Sequence, residues 1–129
     1  MAEGFPASTG DIFTAADYNG LVAFTVGAAQ TGDYTAVIAD AYQVVELMNK
    51  GTAIAYKIPT NASVAFPIGT VLTVLNIGAG VCTISAVTSG TTTILSAGAV
   101  AASPTLAQYK SAACIKTATD TWYVVGAIG

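Results

Sequence analysis

The feature that most constrains this chain is a rhythm. From Tyr34 onward, strand-like runs of about six to eight residues recur at roughly ten-residue intervals, each bounded by Gly, Pro, Asn, Ser or Thr. The stretch Pro59 to Ala86 shows it best. A short piece, Ser63 to Phe66, is closed by Pro67, which cannot donate to a ladder and so belongs at an edge. Thr70 to Ile77 (TVLTVLNI) is apolar on both faces, as suits a central strand covered on both sides. Gly78-Ala79-Gly80 reads as a hairpin turn, and Val81 to Val87 as the return strand.

The same reading extends in both directions. Tyr34 to Ile38 alternates and ends at the Ala39-Asp40-Ala41 turn. Gln43 to Asn49 has Glu, Leu and Met, which favour helix. Its short length and the Asn49-Lys50-Gly51 turn decide for a strand, with Thr52 to Ile58 as its hairpin partner. There Ile54, Tyr56 and Ile58 share one face and Lys57 faces water. Thr91 to Leu95 is a short strand, Ser96 to Pro104 a loop of small residues, and Leu106 to Thr117 a long strand. After the Thr119-Asp120 turn, Trp122 to Ile128 pairs back. This pattern predicts an all-β fold: an antiparallel β-sandwich, jelly-roll-like or barrel-like, of about eight strands over residues 34–129. No heptad, charge block or solenoid repeat is visible in the sequence.

Residues 1–33 differ in character and are read as an N-terminal arm. The hydroxyl–carboxylate spacing of Thr14 and Asp17 predicts one short helix, Ala15 to Gly20. Leu21 to Val26 is a candidate strand. Phe5, Ile12, Phe13, Leu21 and Phe24 are the candidate docking residues, because a solvated tail rarely carries so many large apolar side chains.

Charge narrows the partners. Charged residues make up 9% of the 129-residue chain, against about 25% in an ordinary soluble domain. Low charge with an apolar fraction of 53% points to a membrane protein or to a surface covered by neighbours. No run reaches the roughly 20 apolar residues of a membrane-spanning helix. Composition alone leaves a transmembrane β-barrel open, but 129 residues would make a very small one and no aromatic girdles are evident, so no membrane partner is expected. Four lysines, no arginine and a net charge of −3 argue against nucleic acid, which requires a basic patch. The lysines are scattered, with no aromatic platform beside them. The opening MAEGFPASTG has an early acid and no apolar signal core, so the chain is expected to be made and assembled in a cytoplasm. Cys82 and Cys114 are then expected as free, buried thiols.

Chemistry is sparse. The chain has no His, which removes the commonest general base and the usual zinc sites. Gly78-Ala79-Gly80 lacks the third Gly and the helix of a nucleotide motif. The carboxylates Asp33, Asp40 and Asp120 fall in turns, where Asp bonds locally, and Glu46 lies on a strand; a catalytic pair among them is the weaker reading. The chain is therefore expected to be non-enzymatic, with no catalytic, cofactor or metal residue. Trp122 shares parity with Val124 and Ile128 and is expected as a core anchor. Tyr56, Tyr109 and Tyr123 are packing residues or members of a sugar- or protein-binding surface.

Two segments carry a resemblance. One is Ile58 to Thr70 (IPTNASVAFPIGT) with the Gly78-Ala79-Gly80 turn and Val81 to Ser85. The other is Ala107-Gln108-Tyr109 leading to Ala118 to Gly126 (ATDTWYVVG). Together they resemble a β-rich module of tailed-bacteriophage virion proteins, found in tail fibres, head fibres and capsid decoration proteins, and the resemblance covers about Tyr34 to Gly126. Asp11 to Asn19 (DIFTAADYN) is similar to phage structural proteins as well. The resemblance implies a virion location, a homotrimer, and a major capsid protein or other virion protein as partner. It brings no catalytic residues. Two functions follow from it: a capsid decoration (cement) protein held through its arm, or a receptor-binding tail or head fibre module recognising host surface glycan.

Overall fold

The computed structural model describes Ala15 and residues 25–42, 44–97 and 103–128. Among them are ten strands: β1 Thr25–Val26, β2 Tyr34–Thr35, β3 Val44–Met48, β4 Ile54–Ile58, β5 Val71–Asn76, β6 Cys82–Ala86, β7 Thr93–Leu95, β8 Thr105–Leu106, β9 Lys110–Ala118 and β10 Thr121–Gly126. A 3-10 turn, Ile38–Ala41, follows β2. The β-rich class is as the sequence reads. Val44–Met48 is a strand, not a helix, since a run this short gains more from burying one pleated face than from a single helical turn.

The pairing is where the structure departs. The strands form two mixed sheets, not antiparallel ones. The larger has the order β1-β3-β5-β9-β10-β7 and the smaller β2-β4-β6-β8. β3 and β4 are not a hairpin: β3 lies in the large sheet and β4 in the small one. β5 and β6 are likewise separated. From β1 to β6 the chain alternates between sheets, so each strand lies parallel to the one two places earlier. Val45 pairs with Thr73 and Ile54 with Cys82, an offset of 28 residues in both sheets. Two successive turns of chain are thus stacked as a coil, although no sequence repeat announces it.

The corner between sheets explains why these turns are not hairpins. Residues 77–81 lie against residues 48–54 of the preceding turn: Ile77 N–H donates to Met48 O at 2.8 Å, Gly80 N–H to Lys50 O at 2.9 Å and Ile54 N–H to Val81 O at 3.1 Å. A Cβ on Gly78 would run into the backbone of Lys50, and one on Gly80 into the Thr52 carbonyl. The Gly-Ala-Gly motif therefore serves close stacking of backbone on backbone.

Two smaller expectations are also corrected. Ser63 to Phe66 forms turns instead of a strand, with Ser63 and Val64 N–H both donating to Thr60 O. Leu106 to Thr117 divides: β8 belongs to the small sheet and β9 to the large one, and the chain crosses at Tyr109, whose φ is 65°. Of the expected helix only Ala15 is described, and its backbone is helical. The β9–β10 hairpin forms as expected, in antiparallel register around Thr119-Asp120, with Asp120 at φ 58°.

The inward faces of both sheets meet in one hydrophobic core. Met48, Leu72, Val74, Cys114, Trp122 and Val124 come from the large sheet, and Ile54, Tyr56, Ile58, Cys82, Ile84 and Leu106 from the small one. Trp122 is the anchor its parity predicts, with Phe66 edge-on at 5.5 Å between centroids. Cys82 and Cys114 are free and buried. Burial pushes their thiols up, to about 11 and about 12.

Candidate functional site

Three polar groups sit among the inward-facing residues of the large sheet, and each is tied to a corner of the fold. Glu46 on β3 is buried beside the β2 turn. Tyr34 Oη donates to Asp40 Oδ2 at 2.7 Å, Val37 N–H donates to the same oxygen at 3.0 Å, and Gln30 Nε2 donates to Glu46 Oε2 at 3.5 Å. Burial pushes the Glu46 carboxyl above its ordinary range, the Asp40 charge adding to the push against the hydrogen bonds of Tyr34 and Gln30. Burial also raises the Tyr34 hydroxyl, helped by its bond to Asp40. This is the one place where two carboxylates of the sequence come together among the described residues. Asp40 and Glu46 are 6% and 4% exposed, and their oxygens are engaged with Tyr34, Gln30 and backbone. Carboxylates held this way pin the first corner.

Asn76, fully buried at the end of β5, spends its whole amide on backbone. Its Nδ2 donates to Gly80 O and to Leu106 O, both at 2.9 Å, and its Oδ1 accepts from Gly78 N–H at 3.1 Å. Lys116 on β9 is only 2% exposed. Its Nζ donates to Asn61 Oδ1 at 2.5 Å and Phe66 O at 2.7 Å and lies 6.0 Å from the centroid of Trp122, so this lysine does have an aromatic neighbour. Asp120 Oδ1 accepts from Asn61 N–H and from Thr92 Oγ1. Lys116 and Asp120 together fasten the Pro59–Pro67 loop to the β9–β10 hairpin. All three groups are consumed by the fold.

What remains available is surface, and the two sheets differ sharply there. On the outward face of the large sheet, register aligns three rows. One runs Val71, Ile115, Tyr123, Leu95. The second runs Val26, Val45, Thr73, Ala113, Val125. The third runs Leu47, Leu75, Ser111. No residue of these rows carries a charge. Val26, Val71, Tyr123 and Val125 are 63%, 42%, 45% and 48% exposed. β5 is central, as expected, but only Leu72, Val74 and Asn76 are buried; its second face lies in this apolar surface. The outward rows of the small sheet read Thr35, Lys57, Ser85 and Ala55, Thr83, Thr105, an ordinary wet face.

The apolar face was only partly legible in advance. The signal was there in strands apolar on both parities, Thr70 to Ile77 and Trp122 to Ile128, and in the scarcity of charge. Which strands stand side by side was not. The candidate docking residues Phe5, Ile12, Phe13, Leu21 and Phe24 lie outside the described residues. Tyr56 is core, whereas Tyr109 and Tyr123 are exposed. Comparison of the chain with family models, with curated proteins and with solved structures gives no match.

Proposed function

We propose that this chain is a non-enzymatic structural protein of a tailed-phage virion, a capsid decoration (cement) protein. In this reading the arm of residues 1–33 binds the shell through its residues 1–24, because Thr25–Val26 and Gln30 are paired with β3 of the large sheet. The two sheets, as the layers of a β-sandwich, form the protruding part of a homotrimer. The observation that carries the reading is the uncharged outward face of the large sheet, together with buried polar groups that are all consumed in fastening corners. A surface of that kind is suited to being covered by neighbours and offers no reacting group. A partner that binds only the assembled shell stabilises it by mass action.

A receptor-binding module would hold glycan through tyrosines or through a loop such as Ser96 to Pro104, and tyrosines serve best when gathered on one platform. The most exposed tyrosines among the described residues, Tyr42 and Tyr109, are 71% and 75% exposed. Tyr109 N–H donates to Asn76 O where β5 ends, whereas Tyr42 precedes β3 at the end where β5 begins. Their separation favours the decoration reading.

The test is location and copy number on the particle, by imaging virions that carry a labelled copy. Hundreds of copies on the head are expected; a few to tens on the tail would overturn the proposal. Removing residues 1–20 should abolish particle binding while the circular dichroism of the β-domain persists. Undiminished binding by a folded truncated chain would refute the role given to the arm.

A further inference from the structure

We propose that the outward face of the large sheet is the contact surface between copies of this chain. This goes beyond the proposed function: a contact between paired faces is two-fold, separate from the three-fold contact that a homotrimer on the shell requires. A chain that pairs in solution but binds no particle would refute only the proposed function.

The argument begins with shape. The face is built from six hydrogen-bonded strands, so it is rigid and gently twisted, with ridges of Val, Leu, Ile and Ala at regular spacing. The surface that matches such ridges best is another sheet face: two sheets pack about 10 Å apart with strands roughly 30° from aligned, their side chains interdigitating. Polarity comes next. Without a charge in its three rows the face has nothing to offer a charged partner, whereas an identical face matches it in polarity throughout. A self-complementary patch is what an isologous contact between identical subunits requires.

Size sets the strength. Six strands at about 4.8 Å spacing, averaging about five residues at 3.3 Å, cover roughly 450 Å². Two copies then bury about 900 Å², close to the roughly 1,000 Å² that separates specific interfaces from incidental ones. Association through this face alone should therefore be reversible, with a midpoint in the micromolar range. Contact also gives β5 the cover on both faces that its sequence calls for.

Analytical ultracentrifugation of the full chain tests this. The mass should rise with concentration from that of the 12.9 kDa chain to twice that value. The double variant Val71→Lys, Val125→Lys should stay monomeric at concentrations at least tenfold above the wild-type midpoint. Thr83→Lys, on the wet face of the small sheet, should associate as the wild type does. A second measurement stands if the double variant does not fold. In Val125→Cys the new thiol is the exposed one, because Cys82 and Cys114 are buried. Its maleimide labelling rate should fall at least tenfold as the protein passes through its association midpoint. A mass that stays monomeric to several hundred micromolar would overturn the proposal. So would labelling independent of concentration: fast labelling would leave the face to a different protein, and slow labelling of a monomer would mean that residues 1–24 of the same chain cover it.

Discussion

Single residues decide more here than the sequence advertises, because corners of the chain touch through backbone. At Gly80 a methyl group meets the carbonyl of Thr52 in the preceding turn, while a Cβ at Gly51 meets nothing within 4 Å. Gly80→Ala should therefore destabilise the protein by about 3 kcal/mol or more, as overpacking against unyielding backbone does. Gly51→Ala should lie within about 0.5 kcal/mol of wild type. Urea unfolding of the two variants checks both. Asn76 is the complementary case. Asn76→Leu is close in volume but leaves Gly80 O and Leu106 O without their amide donor, while Gly78 N–H keeps Met48 O as acceptor. At about 1–3 kcal/mol per buried group left unsatisfied, the loss should be about 2 kcal/mol or more, read from the same unfolding curves. In the sequence Asn76 is simply one residue of the Thr70 to Ile77 strand. Only the approach of β8, thirty residues later, makes it a bracket between three segments.

At the scale of elements, the polar pins join pieces that neighbouring residues alone would not hold. Glu46 ties β3 to the corner carrying Tyr34 and Asp40, and this junction has a defined pH dependence. Burial holds the Glu46 carboxyl above its ordinary value of 4.5, so the folded state favours the protonated form. The stability this group contributes is present below the unfolded value and is lost as pH rises through the folded one. Glu46→Gln keeps the amide oxygen for Gln30 and cannot ionise. Its urea midpoint should match wild type below the ordinary carboxyl value and exceed it by a margin that grows as pH rises through the folded value and then levels off. A margin that shrinks with rising pH would contradict the assignment. The elements themselves were largely legible. Alternation and turn residues locate β3, β4, β5, β6, β7 and β10 to within a few positions, because one-sided burial imposes period two locally. The misread pieces are those set by distant partners: the split of β8 from β9 at Tyr109, and the 60–67 loop, held by Lys116 and Asp120 from the far end of the chain.

For the molecule as a whole, the parallel coil has a kinetic consequence. Pairs such as Val45 with Thr73 and Ile54 with Cys82 form only after long loops close, and that entropy is lost before the contact stabilises anything. Refolding from urea should therefore occupy milliseconds to seconds, the range of non-local β topologies, and stopped-flow tryptophan fluorescence of buried Trp122 reports it. Complete refolding within microseconds would mean that the pairing is more local than the register shows.

By itself the sequence determined the class of this protein. Period-two patterning, turn residues at short intervals and the absence of any long helical stripe dictate strands, and the lack of His with so few charges leaves little for catalysis to use. It also placed Trp122 in the core and the two thiols out of reach of solvent, since parity and apolar character are local properties. The pairing was decided only in three dimensions. A Gly-Ala-Gly turn obeys the same local chemistry whether the chain reverses into its own neighbour or rounds a corner into a second sheet. What selects the corner is the backbone of residues 48–54 waiting to be stacked upon, and with that choice the apolar outward residues of separate strands are brought side by side into one face.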